Sequence, residues 1–220
     1  SLGSTCCGEA LRPETLYAGE VEYTHRFDDE WSLLLSGHLQ YAQDFIETLP
    51  VPAANDPEML GLTYSANSST DQRNLGADVE VRRELRDGWM FSAMLGTLSA
   101  RYLEAPLAEG ATANRDVPNA PYLFGSARAI FPVLDRLLRG ALRLSLEAPR
   151  RVDLSTNDTT GWAVVADVVV TGSVDDLGIH YAVGVYNLFD WEYQVPVSAF
   201  PSPTMPQRGR RFMASLSLEL

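Results

Sequence analysis

Apolar and polar residues alternate with period two along this chain, in stretch after stretch of about ten residues. From Tyr17 to Phe27, the residues Tyr17, Gly19, Val21, Tyr23, His25 and Phe27 share one face, against Ala18, Glu20, Glu22, Thr24 and Arg26. After Asp28-Asp29-Glu30, the residues Trp31, Leu33, Leu35, Gly37, Leu39 and Tyr41 continue an apolar face, opposite Ser32, Ser36, His38 and Gln40. The pattern recurs in Leu75–Val81, Trp89–Leu95, Leu123–Phe131, Trp162–Val170, Ile179–Val185 and Phe212–Leu220. One stretch reads two ways. Leu134, Leu137, Leu138, Ala141 and Leu142 would line one face of a helix, but Gly140 costs a helix about 1 kcal/mol. Leu144 and Leu146 fit only a strand, so a strand is the expectation there. Taking Thr63–Leu85 as one long strand with a polar or bulged middle gives nine strands.

Strands of this length and pattern suit a bilayer-spanning barrel, in which lipid-facing and lumen-facing residues alternate. No apolar run approaches the roughly 18 residues of a membrane-spanning helix. The alternation keeps mean hydropathy near zero, at -0.10, which excludes a helical membrane protein and leaves a barrel open. Connections alternate too. Asp28–Glu30, Arg86–Gly88, Leu134–Asp135 and Ser173–Leu177 are short, whereas Leu49–Leu60, Leu103–Pro118, Pro149–Thr160 and Val195–Gln207 are long. All short turns then fall at one end of the sheet and all long loops at the other, as in outer-membrane barrels. Phe27, Trp31, Trp89 and Phe131 sit beside the short turns, and Tyr17, Tyr41 and Tyr122 toward the loops, the arrangement of two aromatic girdles. Charges inside strands fall opposite the large apolar residues; Arg83 departs from this near a strand end, where a long side chain can snorkel.

Charge narrows the function classes. Twenty-nine acidic against seventeen basic residues, all arginine, give a net charge of -12, so no basic stripe exists for nucleic acid. No G-x-S-x-G, H-E-x-x-H or glycine-rich phosphate loop appears, so the chain is read as a non-enzyme with no catalytic residues. Adjacent Cys6 and Cys7 lack the spacing of a metal site, the three histidines are scattered, and neither metal nor cofactor is expected.

Several segments resemble TonB-dependent outer-membrane receptors. Leu11-Arg12-Pro13-Glu14 leading into Tyr17-Ala18-Gly19-Glu20 is similar to the entry of a late barrel strand in that family. Asn74–Val81 is similar to its G-x-E-x-E strand, with Ala77 and Asp78 as variants, and Asp116–Pro121 to its x-P-N-x-P lead-in. Val185–Tyr193 resembles its N-L-F-D-x-x-Y segment on Asn187, Leu188, Phe189 and Asp190. Pro206–Leu220 resembles its closing P-G-R-x-F strand on Gly209, Arg210 and Phe212. The family commonly ends in an aromatic residue, where this chain has Leu220.

The resemblance implies an all-β fold, an antiparallel transmembrane β-barrel of which about nine C-terminal strands are present, out of about 22. Residues 1–15 are then an outer-loop segment, and residues 16–220 the C-terminal portion of the barrel. It also implies an outer-membrane transporter for a scarce solute such as a ferric siderophore, cobalamin or glycan. Implied partners are outer-membrane lipid, an N-terminal plug and the remaining strands, a TonB-type energy-coupling complex and a small-molecule ligand. Arg101, Tyr102, Trp191 and Tyr193 are the candidate substrate contacts on the outer loops, with Arg115, Arg150, Arg151 and Phe200 nearby. The seven residues of the N-L-F-D and G-R-x-F segments are read as structural. The alternatives are a passive channel, adhesin or other outer-membrane barrel, and a soluble β-sandwich binding module.

Overall fold

The computed structural model describes residues 10–50, 63–106, 111–134, 137–197 and 203–219; Cys6, Cys7 and Phe200 lie outside these. Nine strands form one antiparallel sheet: β1 (Thr15–Arg26), β2 (Trp31–Gln43), β5 (Gln72–Glu84), β6 (Met90–Tyr102), β7 (Leu123–Leu134), β8 (Leu138–Glu147), β9 (Ala163–Val174), β10 (Ile179–Tyr186) and β13 (Arg211–Leu218). They pair in that order, each with its neighbour in the chain apart from two inserted hairpins, β3 (Ile46–Pro50) with β4 (Thr63–Asn67) and β11 (Gln194–Pro196) with β12 (Thr204–Pro206). Leu138–Glu147 is a strand, as Leu144 and Leu146 require.

The long strand expected over Thr63–Leu85 is instead two. It breaks at Ser68–Asp71, where β4 leaves the main sheet to pair with β3. The break is hydrogen-bonded throughout. The Ser68 amide donates to the Phe45 carbonyl at 2.7 Å. The Asn67 side chain accepts from the Arg12 amide at 2.7 Å and donates to the Arg12 and Asp44 carbonyls. Asp44, at a φ of 50°, takes the left-handed conformation that turns β2 into β3.

Register fixes the faces. Trp31, Arg83, Phe91, Ala129, Leu142, Val168 and Val185 are register partners in one row across the sheet, and Ser32, Arg82, Ser92, Arg128, Arg143 and Asp167 form the adjacent row on the opposite face. The first face carries the large apolar residues, many of them open: Leu75 is 52% exposed, Leu95 50% and Leu216 70%. Among the described residues no large side chain is fully buried, so this is a single layer without a conventional core. On the apolar face of the nine strands, Arg73, Arg83 and Arg101 are the charged residues among those described, all near strand ends. Arg83 donates to Glu30 at 3.1 Å and lies 5.1 Å over the Trp31 ring. Aromatic contacts gather at both ends: Trp89 with Phe131 (5.5 Å between centroids) and His25 with Phe27 (4.5 Å) beside turns, Tyr17 with Tyr41 and Tyr122 with Trp162 (6.2 Å each) toward the loops. Both edge strands are unpaired on one side, and β1 and β13 are exposed along their whole length.

Candidate functional site

The chemistry-bearing residues collect at the loop end of the polar face. There the loop after β6 and the loop after β8 are stitched together by Arg151, which is 5% exposed. Its guanidinium donates to the carbonyls of Asn114 (3.0 Å), Asp116 (2.8 Å), Leu154 (2.9 Å) and Thr156 (3.3 Å), and to Thr112 Oγ1 (2.7 Å). Backbone bonds run in parallel: Thr112 donates to Leu154 and Asn119 to Arg151, both at 2.9 Å. An always-charged, five-donor fork suits a cage of carbonyls that lysine would only partly satisfy. Burial lowers the Arg151 pKa, and the charges of Asp153, Tyr102 and Asp116 oppose that.

A second cluster sits where β9 meets β10. Asp167, 4% exposed, accepts from Arg143 Nε (2.9 Å) and Nη2 (2.6 Å) and from the Asn187 amide (2.9 Å). Asn187 takes a φ of 53°; its side chain accepts from the Trp191 amide (2.8 Å) and donates to the Trp191 carbonyl (3.0 Å). Leu188 donates to the Ala166 carbonyl, and Phe189 projects into the open at 71% exposure. Asp190 closes the turn. It has a φ of 55°, its amide donates to the Asn187 carbonyl, and its Oδ1 accepts from the Arg210 amide at 2.6 Å. A Cβ at residue 209 would lie 2.6 Å from that Oδ1, so a side chain there would displace the Asp190 carboxylate from its bond to Arg210. Phe212 faces outward from β13 at 76% exposure.

The four substrate-contact candidates are not brought together. Arg101 lies on the apolar-face side of β6 and is ion-paired with Asp116 at 2.9 Å. Tyr102 is 5% exposed beneath the loops, its ring 6.0 Å from that of Phe45. Trp191 donates its indole N–H to the Trp162 carbonyl at 3.0 Å. Tyr193 alone of the four lines a recess, of about 230 Å³, between the β11–β12 hairpin and the polar face of β8 and β9. Its other polar walls are Arg143, Ser145, Glu147, Arg150 and Gln207. Sequence reading missed Ser145 and Gln207, since a serine in a strand and a glutamine in a loop carry no signal until the hairpin folds over them. A larger hollow lies on the opposite side, lined by Phe91, Leu142, Leu144, Val168 and similar residues. Its apolar walls suit hydrocarbon rather than a polar solute.

No family model matches this sequence, and no curated protein does. Solved structures match the fold. The copper transporter OprC superposes with a TM-score of 0.72 at 19% identity, covering 94% of this chain and 31% of its own. The ferric yersiniabactin uptake receptor FyuA from Yersinia pestis gives 0.71 at 15% identity, over 92% of this chain and 29% of its own. The ferric preacinetobactin receptor BauA from Acinetobacter baumannii gives 0.69 at 13%, over 91% and 29%. The fold is that of a segment of a TonB-dependent receptor barrel. The chain spans about a third of the length of the structures it matches. In a receptor barrel, the polar face of these strands is the inner wall and the apolar face the outer. β1 and β13 are the two open edges of the sheet.

Proposed function

We propose that this chain forms part of the outer-membrane wall of a TonB-dependent transporter that takes up a scarce solute. The observation that supports this best is the division of the sheet into two faces. Among the described residues, charges on the outer face are confined to strand ends, and the middle of that face is an uncharged, mostly apolar band. A single layer with that band facing water would be an aggregation surface; facing lipid, it is a wall whose backbone groups are satisfied strand to strand. The likeness to transporters of copper and ferric chelates supports the class, and the ligand is a proposal at the level of a scarce metal chelate, cobalamin or glycan.

On this reading the solute binds among the outer loops and a plug filling the barrel. An energy-coupling complex at the inner membrane then displaces the plug. This chain contributes wall and loops and makes no covalent bond. The Arg151 cage holds two loops as one unit, and the Asp167–Asn187 cluster orders the last long loop.

The test is to express the full natural product in a Gram-negative host and fractionate it. The expected result is outer-membrane protein with a heat-modifiable folded band, and solute uptake that stops when the proton-motive force is collapsed. A product that stays folded and monodisperse in buffer without detergent would overturn the proposal.

A further inference from the structure

The recess beneath the β11–β12 hairpin has a chemical bias that its position alone does not explain. Among the described residues, Ser145 Oγ and Tyr193 Oη have no hydrogen-bond partner, and neither is sealed from solvent. Arg143 spends Nε and Nη2 on Asp167, which leaves Nη1 uncommitted. Arg150 donates from Nη1 to Asn119 Oδ1 at 2.8 Å and from Nη2 to Glu147 Oε2, which leaves Nε uncommitted. Free donors therefore come from two hydroxyls and two guanidinium groups. The free acceptors are Glu147 Oε1 and the Gln207 side-chain carbonyl. The hydroxyls can turn either way, but the arginines cannot, so the imbalance favours a ligand group made of acceptors.

We infer that this recess is a subsite for a carboxylate carried on a short aliphatic chain, belonging to the transported solute. Charge-assisted bonds from Arg143 Nη1 and Arg150 Nε, with the Ser145 and Tyr193 hydroxyls, hold the carboxylate oxygens. Val165 and Val195 give the adjoining methylenes an apolar wall. Because Asp167 orients Arg143 from behind and Asn119 and Glu147 orient Arg150, both guanidinium groups are in place before any ligand arrives. A neutral polyol of the same length could accept from the same N–H groups, but without the charge assistance that a carboxylate gains.

This rests on the transport reading, and the test separates the two. The full-length protein in detergent is titrated with glutarate and with pentane-1,5-diol, following ligand signals by saturation-transfer NMR. Glutarate binds with millimolar affinity and the diol does not. Ser145→Ala with Tyr193→Phe weakens glutarate by about tenfold for each hydroxyl lost. Val195→Trp, which fills the recess from the hairpin and leaves every residue of the main sheet unsubstituted, abolishes binding. Equal binding of acid and diol, no binding of glutarate to the parent protein, or affinity unchanged in both variants would each overturn the subsite. If that happens while the folded band and energised uptake persist, the subsite fails and the transport reading stands. If the protein is soluble and shows no uptake, the transport reading itself fails.

Discussion

Leu95 and Met94 are neighbours near the middle of β6 and point to opposite faces, which makes them a direct probe of which face meets lipid. Leu95 lies on the apolar face, 50% exposed, opposite Val79 and Gly125. Met94 lies on the polar face, opposite Glu80 and Ser126. Replacing either with arginine adds the same side chain to the same strand one residue apart, so strand propensity largely cancels. On a lipid face near the bilayer midplane, arginine costs about 2–4 kcal/mol. On the inner face, the guanidinium brought in by Met94→Arg would stand across from Glu80 in a wet environment and gain or lose less than about 1 kcal/mol. The expected gap of about 3 kcal/mol is a factor of roughly 150 in the folding equilibrium. Denaturant titration of the full-length protein in lipid vesicles, read by the heat-modifiable band, measures it. Leu95→Arg should lose most of its folded band where Met94→Arg keeps it. Equal losses, or a larger loss for Met94→Arg, would refute the assignment of faces and with it the membrane-wall reading.

Further outcomes follow from the loop end. Arg151→Lys should loosen the joined loops by about 2–4 kcal/mol, seen as faster hydrogen exchange at the Thr112 and Asn119 amides while β6 amides stay protected. Burial raises the Glu47 carboxyl pKa, in the β3–β4 hairpin beyond the apolar band, and a Ser68 hydrogen bond offsets this in part. A raised folded-state value means the hairpin is most stable below the ordinary glutamate pKa of about 4.3 and loses that stability as pH rises through the folded value. Glu47→Gln should accordingly protect the hairpin from protease at pH 7 and make no difference in acid; protection at both pH values would contradict the sign. Asn187→Ala removes three side-chain bonds and leaves a left-handed backbone on a residue that disfavours it, at a cost of about 2–4 kcal/mol. A folded band as strong as the parent's would show that the turn is not needed for assembly.

Much of this architecture is legible residue by residue because a strand's face is a local property. Leu33, Leu35 and Leu39 declare their side without reference to any partner, and the register in the structure keeps them there. The turn at Asn187–Asp190 was legible for a similar reason, since Asn and Asp satisfy nearby backbone and tolerate left-handed φ. The break at Ser68 was not, because the polar stretch Asn67–Asn74 has no apolar alternation to tell a bulge within one strand from a break between two. What interrupts the ladder is Asn67 bonding to Arg12, 55 residues away. Arg151 looked like any loop arginine, and only the meeting of two loops buried it. Tyr102 read as a loop aromatic, yet it is buried and stacks on Phe45, just before β3.

The strands, their two faces and the alternation of turns with loops are thus written in the chain itself, through period-two patterning and short-range turn chemistry. Folding in three dimensions was needed to settle which loop residues are buried, which arginine donors are already spent, and that Ser145, Tyr193 and Gln207 share one recess. Those outcomes depend on contacts between segments far apart in the chain. Each hydrogen-bonding group is either satisfied or left free by a neighbour that its own stretch of sequence does not contain.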